Sequence, residues 1–215
     1  ISGDYIISLG AGNDTIDAAA FKNGDSVDMG DGDDTVALYL TNSNGTPSYA
    51  SLNMAKLDGG AGTDTLSFSN MGSQGNTELA LTGGGATNFE NIQGTGGTDI
   101  IRGDGGNNIL SGASDDDILY GGDGDDTLSG FYGVNAYSDT GNDKLYGQAG
   151  DDILSGTAGD NILDGGTGSD TIYTGQGSDT IILRAGDGGS ELNTADIIKD
   201  FTNASDIIGL DNGLQ

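Results

Sequence analysis

From residue 94 to residue 182 the chain repeats itself every nine residues, and no other feature of the sequence constrains its fold so tightly. The cleanest unit, residues 121–129, reads GGDGDDTLS. Around it stand GTGGTDIIR, GDGGNNILS, GASDDDILY, GQAGDDILS, GTAGDNILD, GGTGSDTIY and TGQGSDTII. Ten units are predicted, starting at residues 94, 103, 112, 121, 130, 138, 147, 156, 165 and 174, with the register slipping by one residue between the units at 130 and 138. Self-similarity at a short fixed period signals a solenoid, in which a unit buries its apolar face only against its neighbours. Position eight is that face: Ile101, Leu110, Leu119, Leu128, Tyr137, Leu145, Leu154, Leu163, Ile172 and Ile181.

Outside this run the pattern is interrupted. Residues 9–17 (LGAGNDTID), 29–37 (MGDGDDTVA) and 59–67 (GGAGTDTLS) are good units, and 20–28 is a degraded one. Two interruptions, 38–56 and 68–93, separate them; the second contains TELALTG and NFENIQG, short apolar or alternating runs that predict strands. Near the carboxy end, residues 196–210 read DIIKDFTNASDIIGL. Three zones are therefore expected: interrupted repeats with inserted strands and loops over 1–93, a regular solenoid over 94–182, and a capping segment over 183–215, since a last coil otherwise leaves an open apolar edge.

The residue types point to a cation. Glycines at positions one, two and four are expected to take positive φ, which costs a residue without a Cβ little. The resulting turns aim carbonyl oxygens inward, and position six adds a carboxylate. An all-oxygen donor set, partly of neutral carbonyls, suits calcium, a hard ion with many ligands, better than magnesium with its small octahedral shell. Histidine and cysteine are both absent, which removes imidazole and thiolate metal sites, disulfides, and Ser-His-Asp or Cys-His catalysis.

Charge matters next. Thirty-four acids against six bases give a net charge of −28, which repels nucleic acid and anionic membranes. High charge with 42 glycines is also the composition of a disordered chain. The expectation that reconciles the two is a chain disordered without metal and ordered with it. No apolar run reaches the length of a membrane span. The chain opens at Ile1 in mid-pattern without a basic, apolar leader, and is expected to be part of a larger protein.

The repeats resemble the RTX (repeats-in-toxin) family of bacterial secreted proteins, over most of the chain from about Leu9 onward. The segment from GGAGTDTLSFS to FENIQGTGGTD resembles stretches joining repeat blocks in large RTX adhesins, and DIIKDFTNASDIIGL resembles the segment that closes many RTX rolls. The resemblance implies an all-β, right-handed parallel β-roll (β-solenoid). Two units make one coil, and calcium ions sit between the turns of stacked coils. Position-six residues would then stack as Asp99, Asp117, Asn135, Asp152 and Asp170 on one side, and as Asn108, Asp126, Asp143, Asn161 and Asp179 on the other. Asp14, Asp25, Asp34 and Asp64 are the candidates in the first zone. Gly97, Gly106, Gly122, Gly124, Gly150, Gly159, Gly166, Gly168, Gly175 and Gly177 are the candidate turn glycines. Sites that include Asn108, Asn135 or Asn161 are expected to be weaker, because one charge stays uncompensated. Position-five acids such as Asp116, Asp125 and Asp151 are expected to face solvent.

A core one side chain thick, in a chain this charged, leaves metal binding to supply the missing stability, so folding and binding form one equilibrium. The expected function is a structural and interaction module of a large secreted or cell-surface bacterial protein, adhesin-like and exported by type I secretion, folding on extracellular calcium. The alternative is an accessory domain of a secreted RTX enzyme, aiding folding, secretion or polysaccharide contact. Catalysis within the chain is not expected, because acid pairs recur with the repeat whereas an active site is singular. Nor is ice binding, since position seven forms no threonine array. Calcium and extracellular polysaccharide are the expected partners. Tyr120, Tyr146 and Tyr173 at position nine are expected to alternate sides as scattered surface aromatics.

Overall fold

The computed structural model describes residues 4–18, 25–38, 56–68, 78–80, 86–131, 140–187, 194–202 and 205–210. Strands of two to six residues supply the regular structure, and every pair of them runs parallel. Their shortness follows from the repeat. Positions seven to nine, typically Ile or Thr, then Leu or Ile, then a polar residue, suit a half-buried strand, and the glycines on either side end it.

Among the described residues the strands form three sheets. One holds β1 (Ile6–Ser8), β3 (Ser26–Asp28), β5 (Lys56–Asp58) and β8 (Ala86–Thr87). A seven-stranded sheet holds β7 (Glu78–Ala80), β10 (Ile100–Arg102), β12 (Ile118–Asp123), β14 (Lys144–Ala149), β16 (Ile162–Thr167), β18 (Thr180–Leu183) and β20 (Ile207–Leu210). The longest holds β2 (Thr15–Ala18), β4 (Thr35–Leu38), β6 (Thr65–Ser67), β9 (Asn91–Gln93), β11 (Ile109–Ser111), β13 (Thr127–Ser129), β15 (Ile153–Ser155), β17 (Thr171–Tyr173) and β19 (Ile197–Lys199). This nine-stranded sheet runs unbroken from the interrupted region into the regular one. Consecutive strands of the regular run fall alternately in the two larger sheets, so two units make one coil of a parallel β-roll.

Register stacks like on like. In the seven-stranded sheet Ile101 pairs with Leu119, then Leu145, Leu163, Ile181 and Ile208 in turn. The nine described position-eight residues of the run are fully buried, and Tyr137 lies outside the described residues. Together with Val36, Leu66 and Ile92 they form one apolar column, which Phe68 and Phe89 widen in the earlier coils. The last coil is thinner: Ile197, Ile207, Ile208 and Leu210 are exposed.

Pairing corrects the expected coil count. Ile118 pairs with Lys144, not with residue 136, and Thr127 pairs with Ile153. Coil spacing here rises from 18 to 26 residues, an insertion of eight, and the units expected at 130 and 138 are one unit. Removing residues 132–139 leaves GFTGNDKLY, a regular nonapeptide. The supposed slip is that insertion, and past it the two expected stacks exchange members. Tyr120 and Tyr146 therefore lie on the same sheet, paired and stacked with centroids 5.0 Å apart, instead of on alternate sides; Tyr173 lies on the other sheet.

Candidate metal centre

Position six closes each turn and immediately precedes each strand, and there the side chains form two ladders. Beside the nine-stranded sheet the ladder runs Asp14, Asp34, Asp64, Glu90 and, after a gap bridged by the backbone bond from the Ile109 N–H to the Glu90 carbonyl, Asn108, Asp126, Asp152, Asp170, Asp196. The Asp126 N–H donates to Asp152 Oδ1 (2.7 Å), the Asp152 N–H to Asp170 Oδ1 (2.9 Å), and the Asp170 N–H to Asp196 Oδ1 (3.1 Å). In the earlier coils the Asp14 N–H donates to Asp34 Oδ1, that of Asp34 to Asp64 Oδ1, and that of Asp64 to Glu90 Oε2. Beside the seven-stranded sheet the ladder runs Asp99, Asp117, Asp143, Asn161, Asp179, Asp206 by the same bond. Asp25 accepts from the Tyr5 N–H in the four-stranded sheet. Asn135 lies outside the described residues, and its expected place in the stack is taken by Asp143.

Three ladder members escaped the sequence analysis. Glu90 ends GATNFE, which continues the count of nine back from Gly94 and keeps Ile92 at position eight. Asp196 and Asp206 each open an Asp-Ile-Ile block, which reproduces positions six to eight without the glycines. All three signals were present and lacked only the glycine turn before them.

The second carboxylate oxygens carry the chemistry. Oδ2 of Asp34, Asp64, Asp126, Asp152, Asp170 and Asp179 is buried with no hydrogen-bond partner. A buried charged oxygen without a partner is costly. Burial, opposed by the bond from the preceding coil's backbone N–H and reinforced by neighbouring acids, pushes Asp126 up to about 6 and Asp152 and Asp170 up to about 7. Burial likewise raises Asp64 and Asp179. One end of a ladder differs. Asp206 is raised by burial, but the N–H groups of Thr202 and Asp179 and the hydroxyls of Thr202 and Ser205 outweigh it and hold its carboxyl low. Thr95 closes on Asp99 in the same way, its N–H reaching Asp99 Oδ2 at 2.6 Å.

The glycines divide into two kinds. At positions two and four, Gly122, Gly124, Gly150, Gly159, Gly166, Gly168, Gly175 and Gly177 take positive φ as expected. A Cβ on most of them would strike a carbonyl oxygen of the preceding coil, so rows of carbonyls lie close beneath the turns. Position-one glycines do not take positive φ, and neither do Gly97 and Gly106. Position one needs space instead. A Cβ on Gly121 would stand 2.9 Å from Asp126 Cγ and 2.6 Å from the Gly147 carbonyl oxygen. The space a methyl would fill is thus flanked by a carboxylate and by a carbonyl of the next coil.

Position-five residues form a counter-ladder. Asp116, Asp125 and Asp151 are exposed, yet their Oδ1 atoms accept from the N–H of Asn142, Asp151 and Ser169 in the following coil. Asn161 donates its amide to Gly159 O and to Asp179 Oδ1, and Asn108 Oδ1 turns back to the Asp104 N–H. Among the described residues no three carboxylates converge as a metal cage of acidic side chains would require. The donor set is instead one of paired carboxylates and turn carbonyls. It fits a hard cation with a flexible oxygen shell.

A family model described as the RTX calcium-binding nonapeptide repeat matches in four copies, over residues 3–23, 90–130, 135–163 and 155–189. No curated protein matches the chain. No helix among the described residues is long and apolar enough to cross a membrane.

Proposed function

This chain belongs to the RTX calcium-binding nonapeptide-repeat family, its repeats bind several calcium ions, and on that premise we propose that it is a non-enzymatic structural and interaction module that folds on calcium outside the cell. The observation that carries the reading is the set of buried, partnerless Oδ2 atoms on Asp126, Asp152, Asp170 and Asp179. Bound calcium would supply the positive charge these oxygens lack.

The ions would lie between stacked turns, held by Asp117, Asp126, Asp143, Asp152, Asp170 and Asp179, with turn carbonyls from the glycine positions between Gly122 and Gly177. Asp14, Asp25, Asp34 and Asp64 would serve the earlier coils. Sites with Asn108 or Asn161 would be weaker, because those amides bring no charge and already bond within the roll. Scarce calcium inside a bacterium would keep the chain extended for type I secretion, and abundant calcium outside would fold it within a larger adhesin-like surface protein that meets extracellular polysaccharide.

Circular dichroism tests the folding step. The chain in excess chelator gives a coil spectrum, and millimolar calcium converts it to β structure; a β spectrum that persists in chelator and does not change with calcium overturns the reading.

A further inference from the structure

The outer face of the seven-stranded sheet carries a row of planar side chains at position nine. The Arg102 guanidinium lies 4.8 Å above the Tyr120 ring centroid, and the Tyr120 and Tyr146 rings stack with 12° between their planes. The row then breaks. The residue paired with Tyr146 on the next strand is Asp164, too short to reach the height of a ring. Arg184, one coil further, folds back and grips both oxygens of the buried Asp164 carboxylate. Sheet order puts Tyr120 on one side of Tyr146 and this gap on the other. The gap is a cleft of about 370 Å³.

Both Tyr120 and Tyr146 line the cleft, together with groups that donate and accept. Gln148, Thr167 and Asp187 line it with the Asp164–Arg184 pair. The Asp187 carboxylate is itself held by the Arg184 N–H. A purely aromatic guest would dehydrate the Gln148 amide and the Thr167 hydroxyl without offering them hydrogen bonds. A polyhydroxylated ring would stack on Tyr146 and bond around its edge. An anionic guest would meet two carboxylates against one guanidinium on a chain of charge −28. The volume lies at the small end of ligand sites and suits one or two sugar rings.

We propose that this cleft binds a neutral hexopyranose unit of an extracellular glycan, with Tyr146 as the stacking platform and Asp164, Arg184 and Gln148 bonding its hydroxyls. The proposal rests on the reading of the chain as a calcium-folded module that meets polysaccharide, and it names the place and the sugar class.

The test uses the full chain, calcium-loaded and first shown folded by circular dichroism, with tyrosine rings isotopically labelled for NMR. Maltohexaose, cellohexaose and mannohexaose are titrated separately, with oligogalacturonate as the anionic comparison. The expected result is a saturable shift of the Tyr146 and Tyr120 signals with at least one neutral oligosaccharide. Binding should weaken at least tenfold in Tyr146→Ala and in Gln148→Ala and stay unchanged in Tyr173→Ala, on the opposite sheet. No shift with any neutral sugar, stronger binding of oligogalacturonate, or full binding by a folded Tyr146→Ala and Gln148→Ala pair would each overturn it. A chain that never folds on calcium fails at the dichroism step, which separates loss of the calcium reading from loss of the glycan site.

Discussion

Gly130 and Asp143 belong to one turn: a Cβ on Gly130 would stand 3.0 Å from Asp143 Cγ, as one on Gly121 would stand 2.9 Å from Asp126 Cγ. Along the chain the spacing between ladder partners here is 26 residues, eight more than the 18 of the preceding coil. Deleting residues 132–139 should therefore leave a calcium-folded roll with an unchanged calcium midpoint and a melting temperature within a few degrees. Deleting 131–139 instead, one residue more, should break the ladder at Asp143 and abolish cooperative folding. Calcium titrations followed by circular dichroism distinguish the two. Equal behaviour would show that Gly130 does not open this turn.

Asp152 sits in mid-ladder with a partnerless oxygen, whereas Asp206 is closed by its own turn. Asp152→Asn should raise the calcium midpoint on the order of tenfold, since ligand charge sets affinity. Asp206→Asn should leave the midpoint within about twofold. Isothermal titration of both variants against the parent checks this, and equal losses would argue against a mid-ladder ion.

Without calcium the pH dependence should run opposite to that of most acidic proteins. Asp126, Asp152 and Asp170 have folded values of about 6 to 7, above the reference of 3.8. A carboxyl raised on folding favours the folded state when protonated. Its contribution is complete below the unfolded value and disappears as pH climbs through 6 to 7. Metal-free protein should gain β structure near pH 4.5 and lose it by pH 8. A metal-free roll most ordered at pH 8 would refute the assignment. Calcium should reverse the trend, because it binds the ionised form.

Two glycines of units stacked one coil apart should respond differently to a methyl group. Gly121→Ala drives a Cβ against Asp126 and the Gly147 carbonyl, an overpacking that costs about 1–3 kcal/mol. Gly105→Ala meets nothing within 4 Å and needs no positive φ, so its melting temperature should match the parent's. Differential scanning calorimetry in calcium reads both, and equal destabilisation would remove the spatial argument for position one.

Gln148 holds φ at 83°, where a side chain is strained. Gln148→Gly should stabilise the calcium-loaded roll by about 1 kcal/mol, the low end of the cost of such backbone. No rise in melting temperature would mean that its side chain already offsets the strain.

The nine-residue period made the strands and the column from Ile101 to Ile181 legible in the sequence, and the resemblance to the RTX family supplied the stacking of position-six residues. The period misjudged what depends on how coils meet. Counting along the chain assigned residues 130–146 to two units, because a slip and an insertion look alike until pairing shows Ile118 beside Lys144. The same miscount hid the Tyr120–Tyr146 stack. Glu90, Asp196 and Asp206 lack the Gly-rich turn that marks the other units, while the ladder requires only an acceptor before an apolar strand residue. Position-one glycines were assigned to backbone conformation when the need is room for an oxygen, which only the packed turn reveals.

The side chains at positions five and six reach in opposite directions along the stack, so between Asn107 and Asp179 stacked turns are clasped from both sides. A winding in the middle cannot leave without opening two sets of clasps, whereas one at the rim gives up a single set. Peeling should consequently proceed inward from the extremities, and a pull applied along the axis should be shared by both rows wherever both are present.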